Sequence, residues 1–449
     1  LWAEIADGQL TIDYALPISK TAVRPAKFTY PIESNYQASH AIPWVARLLD
    51  RAYGEAQQQK RAKVLVNPHA GPGKARKYWL RDIQPILAAA RCPLDVQTTQ
   101  YSGEAVEICQ SLDIDKFDMV IACSGDGLPH EVINGLGKRS DAKRAMEKIA
   151  VVQMPCGSGN AMSCNMHGTA SPSLAALAAV KGLATPLDLI SITQTDGSRI
   201  LSFLSQAVGI VAESDLATEH MRWMGQARFT VGFLQRLIKK TVYPCELDIK
   251  VAVDDKPSIL DHYNHETSTA TPGAARRMTR ATPFDMDDST TSSAASSRDA
   301  YAGDGLPPLR YGTVNDKVPA DWHHEVLPTL GNFYTGNMSF MAADANFFPA
   351  ALPSDGCMDM VTIDGTISRL KAVGLMNAVE SGTFFENEDV TYRKVVAYRI
   401  TPKQGEGYIS IDGERVPFGA FQAEVHRGLG TTLARRVGRY EARGPGEQK

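Results

Sequence analysis

Asp126 stands between two glycines in Ser124-Gly125-Asp126-Gly127-Leu128. A carboxylate in such a turn can take a proton or face a metal-bound phosphate. The flanking glycines open backbone conformations closed to other residues and let a bulky anion approach the main chain. Asp-Gly pairs also build ordinary turns, so the chemistry has to be carried by other residues as well. Three stretches offer that support: Asn67-Pro68-His69-Ala70-Gly71-Pro72-Gly73-Lys74, Pro155-Cys156-Gly157-Ser158-Gly159-Asn160 and Asp412-Gly413-Glu414. Several familiar motifs fail on spacing. Ala75 follows Lys74 where a Walker A loop needs Ser or Thr, and Met162 replaces the third glycine of a dinucleotide fingerprint. Neither Ser124 nor Ser158 lies in G-x-S-x-G, and His130-Glu131 meets Asn134 where a metalloprotease has its second His. Phosphate handling is the chemistry these eliminations favour.

The elements that position these loops are legible. Lys63–Val66, Leu94–Thr99, Phe117–Cys123 and Ile149–Met154 read as strands, and Ala75–Ala90 and Gly103–Ser111 as helices, in βα alternation. In a parallel sheet the glycine turns after the first, third and fourth strands fall on one edge, where open α/β sheets bind nucleotides. The loop ending in Lys74 leads into a helix, whose positive N-terminal end suits phosphate.

With 449 residues the chain has room for two or three domains, and a net charge of −3 gives no case for nucleic acid. No stretch approaches the roughly 18 apolar residues of a spanning helix, and no secretory signal is evident. The expected location is cytoplasmic, with peripheral contact to intracellular or plasma membranes. The chain begins at Leu1 rather than Met, which leaves room for a targeting or acylated segment upstream. Seven scattered cysteines without a C-x-x-C pair read as reduced thiols. His262 with His265, and the His323-His324 pair, lack the clustering of a zinc site.

Residues 1–55 read as a small β-rich extension followed by a helix from Ile42. From Leu187 the texture turns to alternating strands, which places a boundary between 60–186 and a second domain over 187–430. Within the latter, Ser368–Val379 reads as a helix. Residues 257–319 are rich in Ser, Thr, Ala, Pro and Asp and are expected to be a disordered insert. Thr271-Pro272 and Thr282-Pro283 inside it read as proline-directed phosphorylation sites.

Taken in order, the Asn67–Lys74 loop, Ser124-Gly125-Asp126-Gly127-Leu128-Pro129-His130-Glu131-Val132-Ile133-Asn134-Gly135, the Pro155–Asn160 loop with Ala161, and Asp412-Gly413-Glu414 resemble the diacylglycerol kinase-like lipid kinase superfamily. The block from Asp215 to Gly232 resembles its sphingosine (sphingoid long-chain base) kinase branch, and the N-terminal extension looks most like the fungal members. The resemblance implies an α/β fold, with an N-terminal Rossmann-like, phosphofructokinase-like domain and a C-terminal antiparallel β-sandwich. It implies transfer of phosphate from ATP, with Mg²⁺, to the primary hydroxyl of a sphingoid base.

On the matching positions, Asp126 is implied as catalytic base. The implied ATP site comprises Asn67, Pro68, His69, Gly71, Gly73, Lys74, Thr99, Gln100, Tyr101, Ser102, Gly103, Ser124, Gly125, Gly127, Glu131, Gly157, Ser158, Gly159, Arg222, Arg228, Asp412, Gly413 and Glu414. The implied lipid site comprises Ser124, Gly125, Asp126, Gly127 and Asp215, with Asp215 engaging the headgroup. His69 departs from the Arg or Lys frequent in the family. A ceramide or diacylglycerol kinase, and a catalytically silent lipid-binding scaffold, are the alternative readings. A homodimer is compatible with the sequence, which does not decide it.

Overall fold

A computed structural model describes residues 1–32, 40–216, 241–269 and 303–446. Alternating residues at the start of the chain build an antiparallel sheet of β1 (Trp2–Ala6), β2 (Gln9–Ser19) and β3 (Ala22–Pro31), followed by α1 (Ile42–Tyr53). This unit is fastened to the next by Arg91, whose guanidinium meets Glu4 at 2.6 Å and Asp13 at 3.1 Å.

The βα alternation produces β4 (Ala62–Val66), β5 (Leu94–Thr98), β6 (Met119–Ser124) and β7 (Ala150–Pro155), paired in parallel in the spatial order β5-β4-β6-β7. Every residue of β4, β6 and β7 is buried, as continuous apolar runs require of strands covered on both faces. The helix α2 after β4 runs through Ala75–Tyr78, a π-turn at Trp79–Ile83, and Gln84–Ala89. Pro85, which has no amide to give and crowds the preceding turn, accounts for the π-turn. Four further helices serve the site or cover the sheet: α3 (Glu104–Gln110), α4 (Gly127–Gly137), α6 (Ala161–His167) and α7 (Pro172–Lys181), with α5 (Ala142–Lys148) between α4 and β7.

The remainder is mostly antiparallel: β8 (Leu183–Gln194), β9 (Arg199–Ser202), β10 (Ser205–Gly209), α8 (Ile210–Leu216), β11 (Cys245–Val253), α9 (Lys256–Thr269), β12 (His323–Leu327), β13 (Leu330–Gly336), β14 (Phe340–Ala342), β15 (Ala345–Asn346), β16 (Met358–Asp364), α10 (Arg369–Ser381), β17 (Thr391–Pro402), β18 (Ile409–Ile411), β19 (Glu414–Val416) and β20 (Phe421–Ala434). Ser368 caps α10 by accepting a hydrogen bond from the Lys371 amide at 3.3 Å. β8 crosses the expected boundary at residues 186 and 187, because its first half pairs with the end of β20 and its second half with the start of β20. β20 also meets β7 in parallel at Thr432 and Val151, so one hydrogen-bonded sheet runs through both halves. An apolar cluster likewise joins Leu136 and Met146 of the first half to Leu189, Leu201 and Phe203 of the second.

The disorder expected over 257–319 does not hold at its described flanks. α9 buries Ile259 and Tyr263, and residues 307–314 are strapped to the sheet. There the Arg310 and Tyr311 amides donate to Glu424 at 3.0 and 3.2 Å, and the Val314 amide donates to Thr193 at 3.0 Å. The ordering comes from polar partners on distant strands, which local composition does not register. Thr271 and Thr282 lie outside the described residues.

Lys394 on β17 is fully buried between Asp355 at 2.8 Å and Asp359 at 3.0 Å. His262 reaches the same Asp355 oxygen at 3.1 Å, and Cys357 is close by. The ammonium already supplies the positive charge that a metal would bring to these ligand types. All seven cysteines are unpaired and buried. Among the described residues, no helix is long and apolar enough to cross a membrane.

Candidate active site

Three glycine loops meet at the carboxyl edge of the parallel strands. Close packing, as well as any ligand, demands their glycines: a Cβ on Gly157 would fall inside the Gly125 backbone, and one on Gly71 would lie 3.1 Å from Gly157 Cα. Asn160 shapes the third loop from a left-handed conformation (φ 56°), accepting from the Gly157 amide and donating to the Gly157 carbonyl, both at 2.9 Å. In the first loop Asn67 accepts from the His69 amide at 2.9 Å.

Asp126, at the start of α4, points its carboxylate at the first turn of α6. Its Oδ2 accepts from the Ala161 amide at 3.0 Å, and its Oδ1 from the Met162 amide at 3.2 Å and the Gln153 side chain at 3.0 Å. Burial raises its pKa above the ordinary carboxylate value, against those three hydrogen bonds, which lower it. Glu131, one turn along α4, accepts from the Ala105 amide at 3.3 Å and so ties down the Thr99–Gly103 stretch; burial raises its pKa too.

Asp412 has a different task. With Gly413 it forms the tight turn between β18 and β19 (φ 52° and 84°), the positive-φ pair that a two-residue hairpin favours. Its buried carboxylate accepts from Ser202 Oγ at 2.6 Å and from the Phe203, Leu204 and Ser205 amides at 3.0 to 3.1 Å, and it meets His130 Nδ1 at 2.8 Å. Asn134 completes the junction, donating to the Leu201 carbonyl and accepting from the Leu201 amide, each at 2.9 Å. Glu414 hangs over α4, where a Cβ on Gly127 would lie 2.8 Å from its Oε1.

These loops line the polar end of a cavity of about 880 Å³. Its other end is apolar, walled by Leu204, Ile210, Tyr334, Phe347, Leu375 and Phe384. Asp126, Glu131, Asp344, Asp364, Glu380, Asp412 and Glu414 all border it. Arg369 is the one Lys or Arg on the wall among the described residues. A cavity of this charge favours cations and metal-complexed anions.

Residues 61–192 match the family described as diacylglycerol kinase catalytic domain, and residues 1–54 match a domain of unknown function (DUF7493). The chain is 38% identical over 429 residues to sphingoid long chain base kinase 5 of Saccharomyces cerevisiae, covering 88% of this chain and 62% of that protein. It is 32% identical over 389 residues to sphingoid long chain base kinase 4 of Schizosaccharomyces pombe, covering 86% of this chain and 78% of that protein. The chain belongs to the sphingoid long chain base kinase family. Identity to human sphingosine kinase 1 is 29%, over 82% of this kinase and 88% of the human protein. A solved structure from Bacillus anthracis shares the fold, at TM-score 0.53 and 17% identity, covering 84% of this chain and 97% of that one.

Most of the site residues expected from the kinase's sequence converge on this one cavity: Asn67, His69, Gly71, Thr99 to Ser102, Ser124 to Gly127, Glu131, Gly157 to Gly159 and Asp412 to Glu414. Pro68, Gly73, Lys74 and Gly103 are not among its lining residues. Gly73 closes a turn on the Ala70 carbonyl at 2.9 Å, and Lys74 precedes α2. Arg222 and Arg228 lie outside the described residues, as does the side chain of Asp215 on α8.

Sequence reasoning missed Gln153, Asn160, His130, Asn134 and Ser202. Gln153 carried a signal, being the one polar residue in the otherwise apolar β7. His130 and Asn134 stand in the motif that carries the resemblance and in a failed metal motif, and neither gives them a task; their partners are some 70 to 280 positions away, at Leu201 and Asp412.

Proposed function

We propose that this kinase transfers the γ-phosphate of ATP to the primary hydroxyl of a sphingoid long-chain base. The observation that carries the reading is the single cavity in which Asp126 stands between glycine loops suited to phosphate and an apolar wall suited to a lipid tail. Asp126 takes the hydroxyl proton as the hydroxyl oxygen attacks the γ-phosphorus, and the bond to the bridging oxygen of ADP breaks. Gln153 and the α6 amides aim the carboxylate, and burial makes it a stronger base. Asn67, His69 and the Thr99–Ser102 stretch border the nucleotide end, and the α4 and α6 loops present amides to phosphate.

Glu414 and Glu131 are hard oxygen donors of the kind Mg²⁺ takes and would hold it beside the nucleotide, where it would supply neutralisation of phosphate charge. Arg222 and Arg228 would add positive charge, and Asp215 a carboxylate for the lipid ammonium. The acidic wall favours a cationic acceptor over neutral diacylglycerol or ceramide. Because such acceptors reside in bilayers, the kinase works in peripheral contact with a membrane surface.

An acceptor panel with labelled ATP tests the assignment. Sphingoid bases are expected to be phosphorylated and the two neutral lipids poorly, with Asp126→Asn losing at least 100-fold in kcat. A preference for either neutral lipid, or full activity in Asp126→Asn, would overturn it.

A further inference from the structure

Beyond Asp126 and the implied Asp215, the cavity wall holds Asp344, in the two-residue turn between β14 and β15. Its side chain is exposed, and neither Ala343 nor Asp344 has a positive φ.

One short helix sets the hairpin and Asp126 side by side. The first turn of α6 donates to the Asp126 carboxylate. Asn165, on the same helix, accepts from the Phe340 amide at 2.9 Å, donates to the Phe340 carbonyl at 2.7 Å and donates to the Ala161 carbonyl at 2.8 Å. At the other end of the gap, a Cβ on Gly159 would touch Asp126 Oδ2 at 2.8 Å and the Met341 carbonyl at 3.8 Å. Both carboxylates act on the thiol of Cys164, and after burial their charge helps push it up to about 12. Asp344 therefore borders the same cavity as Asp126, on a hairpin anchored to the helix that orients the Asp126 carboxylate.

A sphingoid base carries its ammonium on the carbon next to the reacting hydroxymethyl group. With the hydroxyl at Asp126, the ammonium must lie within a few ångströms of it, in the cavity whose wall also carries Asp344. We propose that Asp344 is a specificity-determining residue that pairs with the ammonium of the lipid acceptor and holds its hydroxyl toward Asp126. This rests on the sphingoid base reading of the site. Diacylglycerol and ceramide, lacking the cation, would leave the carboxylate without its ligand, so Asp344 contributes to discrimination as well as to affinity.

The test is a kinetic comparison of wild type with Asp344→Asn, Asp344→Ala and Asp344→Glu in detergent micelles, with a sphingoid base and a diacylglycerol as acceptors. Neutral variants are expected to raise KM for the base roughly tenfold, the scale of one partly solvated charge pair. KM for ATP is expected to stay within twofold, base-over-diacylglycerol selectivity to fall by a similar factor, and Asp344→Glu to recover most of the loss. ATP binding by each variant checks that the nucleotide loops are intact. Wild-type KM for the base in Asp344→Asn, or equal losses toward ATP and lipid, would overturn the role. Failure of the wild type itself on every sphingoid base would instead overturn the functional reading, so the two failures are distinct.

Discussion

Gly157 and Gly125 face each other without side chains because their loops cross at backbone contact, and Asp126 rides on one of those loops. Gly157→Ala would force the loops apart, since a Cβ has no space beside the Gly125 backbone. The expected result is a loss of about 1–3 kcal/mol of stability, read by urea unfolding, and at least a tenfold rise in KM for ATP. Unchanged kinetics would show that the crossing tolerates a methyl group. At this scale the sequence was informative about identity and less so about task. Asp126, Gly157, Glu131 and Asp412 all border the cavity, as their motifs led one to expect. What their spacing does not reveal is that the Asp412 carboxylate is surrounded by Ser202, His130 and three amides. Those partners lie about 210 to 280 residues away, beyond the reach of local spacing.

Among the elements, β17 carries the most demanding residue. Lys394 is enclosed by Asp355 and Asp359, so Lys394→Met would leave two carboxylates buried without their cation. A loss of about 3–5 kcal/mol is expected from the urea midpoint; a change below about 1 kcal/mol would mean that the carboxylates take up protons at little cost. In the parallel sheet β4, β6 and β7 were readable because each is a short, largely apolar run ended by a turn, and α10 because Ser368 marks its start. The strap over 307–314 was not readable. Its prolines and glycine show no helix or strand pattern, and what orders it is the set of buried acceptors and donors on β20, β17 and β8, including Glu424, Arg399 and Thr193.

Across the whole molecule, the two halves join where α6 meets β20. His167 Nε2 lies 3.1 Å from the Leu433 carbonyl, and the Met166 carbonyl accepts from the Arg435 amide at 3.2 Å. Burial lowers the His167 pKa from 6.5 to about 4. A histidine whose folded-state pKa is depressed contributes stability above its unfolded value and loses it as pH falls, because the unfolded chain binds the proton first. His167 should therefore withdraw about 1 kcal/mol between pH 7 and 5.5. His167→Gln is expected to flatten the pH dependence of the unfolding free energy by that amount, and an unaltered slope would contradict it.

The contact of β20 with β7 carries a further implication. A clamshell enzyme swings its two shells about a slender linker, but here the strands are stitched across the seam, from Thr432 and Val151 outward through β8. Rotation of one half against the other would have to break strand pairing as well as side-chain packing.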